Sequence, residues 1–211
     1  MIRAIIFDLD GCLIDSSEVQ RESYFGSYKI VVGDDNCPPY EEYIKHTGES
    51  IDNIFRKMGF PDEMSRVYKE INRSLVSKVI VNDEAMAFIR ELREKGVSIA
   101  ICTGKNRDRT IDLLQYYGIY NLFDVLVCCD DVNSPKPSAE PMLKAMQEMN
   151  CDKEEVIVVG DGHNDILSAK NAGMKSILST WYGDMSVKKD SDYIAGTVNE
   201  LRQILLPMVT A

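Results

Sequence analysis

Two carboxylates stand two residues apart in the segment Phe7-Asp8-Leu9-Asp10-Gly11, directly after the apolar run Ala4-Ile5-Ile6-Phe7. Three later segments carry groups of complementary chemistry. Cys102-Thr103-Gly104-Lys105 offers a hydroxyl and backbone amides, and Ser134-Pro135-Lys136-Pro137 offers an ammonium group. Gly160-Asp161-Gly162-His163-Asn164-Asp165 adds two more carboxylates. Asp8, Asp10 and Asp161 can present hard oxygens to one magnesium ion, a metal that takes a few carboxylates together with water and substrate phosphate. Thr103 and the amides from Gly104 onward, at a helix N-terminus, suit a phosphate oxygen. Lys136 supplies a mobile positive charge for a group in transfer. Together these residue types fit phosphoryl chemistry, with the metal cancelling charge that otherwise bars a carboxylate from a phosphate dianion.

Such groups act together only if the fold brings them to one place. Ala4 to Phe7, Val97 to Cys102, Val125 to Cys128 and Val156 to Val159 are continuous apolar runs, and Lys175 to Ser179 makes a fifth. Continuous rather than alternating patterns are what strands buried on both faces of a parallel sheet show. Helical segments lie between them. Asn82 caps one that carries Ala85, Phe88, Ile89 and Leu92 on one face and stops at Gly96. Others run from Arg107 to Tyr117, Ser138 to Met149 and Asn164 to Ala172. The alternation predicts an α/β fold with a Rossmann-like, doubly wound parallel sheet. In such sheets ligands gather at the carboxyl ends of the strands, which is where all four polar segments fall. About 65 residues between the first strand and Asn82 break the alternation. They carry amphipathic stretches at Glu18 to Tyr28, Tyr40 to Lys45, Ile51 to Met58 and Glu63 to Val79, punctuated by Gly and Pro. The expected organisation is a catalytic core of residues 1–15 and 82–211, with a helical domain of residues 16–81 inserted after the first strand.

Composition narrows the partners. A net charge of −10 over 211 residues repels phosphate backbones and anionic membranes, so neither nucleic acid nor a membrane is expected as a partner. Any phosphate site must therefore be made positive locally. Six cysteines without a CxxC pair, and two histidines, read as reduced, buried thiols rather than a zinc site. No apolar run nears the roughly 20 residues needed to span a bilayer, and the N-terminus lacks a signal-peptide pattern, so the cytoplasm is the expected location.

The four polar segments, in this order, resemble the motifs of the haloacid dehalogenase-like superfamily, and the helical insert resembles its C1 cap. The nearest likeness is the phosphoglycolate phosphatase and β-phosphoglucomutase branch, which also places residues like Gly118-Ile119, Phe123-Asp124 and Ala172-Gly173 at these positions. The resemblance implies that Asp8 attacks phosphorus and carries it as an aspartyl phosphate. It implies that Asp10 protonates the leaving oxygen and then activates water, while its backbone carbonyl ligates magnesium. Thr103, Gly104 and Lys136 would hold the phosphoryl oxygens. Asp8, Asp161 and, directly or through water, Asp165 would complete the Mg2+ site. The implied activity is phosphatase action on a phosphomonoester of a small metabolite. A phosphomutase shares the same nucleophile and acid/base pair, and sequence does not separate the two. A catalytically silent binding protein has no need for Asp8, Asp10, Lys136 and Asp161 together. Cys12, Ser134-Pro135 and Ser138 depart from the usual pattern. In the insert, His46 and Glu49 flank Thr47-Gly48 between two helical stretches and are the candidates for choosing the substrate. Lys45 is the only cation close to them in sequence. Monomer and dimer are not distinguished.

Overall fold

The continuous apolar runs pair into one parallel sheet in a computed structural model that describes residues 1–33, 36–46, 49–182 and 190–209. β1 (Ala4–Phe7) occupies the interior of the sheet, between β4 (Ser98–Cys102) and β6 (Val156–Gly160). β5 (Val125–Val127) lies outside β4, and β7 (Lys175–Ser179) then β8 (Tyr193–Ala195) lie outside β6. All six strands are parallel. β8 was not among the expected strands; three residues flanked by polar ones give almost no apolar run.

Register explains why the polar segments meet. Phe7 pairs with Ile101 on one side and Val159 on the other. Asp8, Thr103 and Asp161 therefore leave the sheet at the same edge, on either side of the point where the strand order reverses. Successive side chains point to opposite faces. Ile5 and Phe7, with Ile99, Ile101, Ile157 and Val159, pack toward α5 (Asp83–Glu94), α6 (Arg107–Tyr116) and α9 (Val198–Val209). Ala4, Ile6, Ala100 and Val158 pack toward α7 (Glu140–Glu148) and α8 (His163–Asn171). Burying each large apolar side chain contributes about 1.5–3 kcal/mol, so the strands carrying the site are among the most firmly held parts of the molecule. The Asn82 side chain caps α5, accepting from the Ala85 amide at 3.0 Å. α7 starts at Glu140 rather than at Ser138, with Pro141 in its first turn, where a missing N–H costs no helical bond.

Between β1 and α5 the chain forms α1 (Ser17–Val31), α2 (Tyr40–Ile44), α3 (Ile51–Lys57) and α4 (Asp62–Ser74). These helices bury Tyr24, Tyr28, Tyr40, Tyr43, Phe55, Met64 and Tyr68 in a hydrophobic cluster of their own. The Tyr40 and Tyr43 rings stack at 5.3 Å, and the Tyr43 and Tyr68 hydroxyls share a hydrogen bond of 2.9 Å. A feature without a buried run in the sequence frames the excursion. β2 (Ile14–Asp15) and β3 (Ile80–Val81) pair antiparallel, Ile14 opposite Val81, where the chain leaves and returns.

Candidate active site

Asp8 leaves β1 with its side chain buried, 8% exposed, and Lys136 reaches it from the loop between β5 and α7. The Lys136 ammonium, itself 4% exposed, donates to Asp8 Oδ1 at 2.6 Å, Asp165 Oδ1 at 2.5 Å and the Cys102 carbonyl at 3.1 Å. Those three bonds satisfy the whole donor capacity of a lysine. Asp165 uses its other oxygen to accept from the Gly162 amide at 3.1 Å. Both of its oxygens are thus engaged in holding the lysine and the loop.

Close approach of backbone and carboxylates fixes two glycines. Gly11 sits at φ +80°, and a Cβ there would lie 2.1 Å from Asp161 Oδ2. At Gly160 an added Cβ would come within 2.4 Å of the Asp165 Cβ. Only glycine, free of that carbon, lets these loops close around the acids.

Asp8, Asp161 and Asp165 each present an oxygen within 4.8 Å of the others. Burial, and then the neighbouring Asp165 and Asp10 charges, push Asp8 up to about 7 against the opposing pull of Lys136. Burial and the charges of Asp8 and Asp165 likewise raise Asp161 well above the ordinary carboxylate range. Burial opposes the charge on Lys136, yet Asp165 and Asp8 outweigh it and raise its pKa. One ammonium among three carboxylates leaves the cluster short of positive charge. Hard oxygen donors converging with a deficit of that sign fit a small divalent cation. The second group of this kind, Cys128 with Asp130 and Asp131, is already committed. Asp131 takes both Nε and Nη2 of Arg107 at 2.7 Å, and Asp130 accepts the Arg107 amide at 2.9 Å.

Asp10 stands apart from that cluster with its carboxylate partly exposed. It accepts from the Ser16 hydroxyl at 2.5 Å and pairs with Lys105 at 3.1 Å. Thr103 is buried, and its Oγ1 accepts from the Lys105 amide at 3.1 Å. Asp8, Asp10, Thr103, Gly104, Asp161 and Asp165 all border one cavity of about 340 Å³, closed on the other side by residues of α1 to α4.

The insert contributes more to this cavity than its sequence discloses. Glu49 lies on the wall, its carboxylate bound by Lys57 at 2.6 and 2.8 Å. His46 is half-buried and is not among the lining residues; Thr47 and Gly48, between them, lie outside the described residues. The Ser50 hydroxyl caps α3. Lys45 is exposed and bound to Glu42, whereas Lys69 and Asn72 of α4, with Arg109 of α6, do line the cavity. None of these three was singled out in the sequence. Arg109 left one signal there, as a cation in the buried face that α6 forms with Thr110, Leu113 and Leu114. His163 is exposed, and Cys12 is a buried thiol. None of the six cysteines is in a disulfide.

Comparison with known proteins agrees with this architecture. The chain is 31% identical over 210 residues to the pyrophosphatase PpaX of Halalkalibacterium halodurans, covering 97% of both chains. It is 33% identical over 186 residues to the pyrophosphatase PpaX of Bacillus velezensis, covering 85% of this chain and 84% of that one. Its fold superposes on CbbY of Rhodobacter sphaeroides, solved in complex with phosphate, with a TM-score of 0.83. That likeness covers 95% of this chain and 96% of the other at 23% identity, and so speaks for the fold alone. Residues 5–179 match the family described as haloacid dehalogenase-like hydrolase. With the four motifs meeting at one sheet edge, this chain belongs to the haloacid dehalogenase-like hydrolase family.

Proposed function

We propose that the chain is a magnesium-dependent phosphatase that hydrolyses a small phosphomonoester through an aspartyl phosphate on Asp8. The observation that carries the reading is the buried Asp8 carboxylate, held by Lys136 at 2.6 Å and opening onto a cavity that Asp10 also borders. A carboxylate oxygen of Asp8 forms a bond to phosphorus as the bond to the leaving oxygen breaks. Asp10, on the cavity side, gives that oxygen its proton and then accepts one from a water molecule. That water displaces Asp8 from phosphorus and releases inorganic phosphate. Ser16 and Lys105 orient the Asp10 carboxylate for both transfers. Thr103 and the Gly104 amide receive the phosphoryl oxygens, and the Lys136 ammonium beside Asp8 supplies positive charge to the transferring group. Asp8, Asp161 and the Asp10 carbonyl would hold magnesium, with Asp165 chiefly keeping Lys136 in place. When bound, the ion neutralises charge shared by phosphate and carboxylate. In this reading residues 16–81 form a cap that covers the cavity and selects the leaving group, Glu49 lying on its wall and His46 beside it.

A second reading, hydrolysis of inorganic diphosphate, draws on the relatives named pyrophosphatases at 31–33% identity. Both readings share one test. Phosphate release is measured with magnesium over a panel of phosphomonoesters and diphosphate, for the unaltered protein and for Asp8→Asn. Turnover is expected to vanish with the substitution and with excess chelator. Activity that survives Asp8→Asn would sink the mechanism, and full rates in chelator would remove the metal from it. Interconversion of sugar phosphate isomers without net phosphate release would point instead to a mutase.

A further inference from the structure

Arg109 is 7% exposed, yet it lines the cavity. Among the described residues its one hydrogen bond runs to the side-chain oxygen of Asn72, on α4. Among the described residues no carboxylate lies within ion-pair distance of it. Asp112, one turn further along α6, is taken by Arg73 at 2.9 Å, and Asp10 is taken by Lys105 at 3.1 Å. The remaining cation on the wall, Lys69, is matched by Asp52 at 2.7 Å. Burial and the neighbouring Arg73 lower the Arg109 pKa from the usual arginine value against the weaker pull of Asp112 and Asp10, but a guanidinium keeps its charge in a protein. A buried, unmatched charge is costly unless an anion comes to meet it.

A purely structural account of Arg109 is weak. Bonding a neutral amide uses one of five N–H donors and none of the charge. The span between α4 and α6 is already tied by Arg73 with Asp112. The Tyr117 hydroxyl adds contacts to the Val76 carbonyl at 2.9 Å and the Val79 carbonyl at 2.5 Å. Arg109 also stands three residues beyond Asn106, so both lie on one face of the helix and both border the cavity. Lys136 occupies the buried floor beside Asp8, while Arg109 meets the insert.

We infer that Arg109 is the second anion contact of this cavity, receiving a carboxylate or a second phosphoryl group that the substrate carries on its leaving-group side. The inference rests on the phosphatase reading and narrows its substrates to small compounds with two anionic groups. A guanidinium fork suits either group, since both present paired oxygens. It also explains how a chain with net charge −10 holds a multiply charged anion.

The test compares kcat/KM for diphosphate and for phosphoglycolate with that for p-nitrophenyl phosphate, whose leaving group has no second anion. Glutamine at position 109 can still bond Asn72 but brings no charge. In Arg109→Gln the preference for the doubly anionic substrates is expected to fall about 10- to 100-fold, the size of a lost charge-assisted hydrogen bond. Arg109→Lys should retain part of that preference. A fall confined to diphosphate identifies a phosphoryl group as the natural occupant, and one confined to phosphoglycolate a carboxylate. A preference that moves less than about threefold, or equal losses on all three substrates, overturns the inference and leaves the phosphatase reading standing. Activity surviving in Asp8→Asn overturns the phosphatase reading itself. Should Arg109→Gln fail to fold, the unaltered protein decides: methylenediphosphonate must bind at least about tenfold tighter than methylphosphonate. Equal affinities overturn the inference.

Discussion

At the strand ends, Asp8, Asp10, Asp161 and Asp165 crowd around Lys105 and Lys136. In the helical insert, Tyr24, Tyr40, Tyr43, Phe55 and Tyr68 fill the interior with rings, and the ion pairs of α4 stay at its surface. The first region is held by one ammonium shared among crowded carboxylates in a low-dielectric setting, where removing that ammonium strands the acids. The second is held by apolar area and ring contacts, which fail by degrees. A site that must carry charge through a reaction needs the former. A wall that shapes a cavity is adequately built from the latter.

Altering single residues tests that contrast. The largest effect belongs to Asp8→Asn, which should cut phosphate release by at least about a thousandfold because an amide is a poor nucleophile. The melting temperature should hold or rise, since one of the crowded carboxylates is gone. Parallel loss of activity and stability would show the strand-end edge to be ordinary scaffold. Lys136→Met comes next. It leaves three buried carboxylates without their ammonium, so a cost of about 3–5 kcal/mol is expected in urea unfolding. Added magnesium should recover part of it, and a midpoint that does not shift would mean that this edge is not held by its ammonium. Phe55→Ala acts on the insert alone, with a cost of about 3 kcal/mol from the cavity it leaves. Amide exchange should quicken in α1 to α4 while β1, β4 and β6 remain protected. Uniform quickening would mean that the two regions melt as one.

Asp8, Thr103 and Asp161 were readable because each follows an apolar run directly, so a linear pattern predicts a shared edge once the sheet is parallel. Asn82 and its cap were readable for the same local reason. What escaped depends on distance in space. Arg109 and Asn72 come from helices of different segments, and nothing in either helix alone names the other. Lys69 lies in the stretch from Glu63 to Val79, which reads as amphipathic, but that pattern does not give its orientation to the cavity. The ribbon of β2 and β3 is two residues wide on each side, too short for periodicity to register. β8 and α9 follow a stretch with weak patterning, and they show that the sheet continues one strand further than its apolar runs suggest.

That small ribbon has an architectural consequence. Because Ile14–Asp15 and Ile80–Val81 are paired, the chain departs from the sheet and rejoins it through adjacent strands. The stretch between them can lengthen, shorten or be exchanged at small cost in chain entropy, and the strands beyond it keep their path. In the proposed reading, the nucleophile and the wall that selects the leaving group therefore lie on separate stretches of polypeptide. Arg109 is the exception, for the inferred second anion contact lies on α6, outside the inserted stretch. It would anchor the charge of the substrate while the rest of its shape is renegotiated.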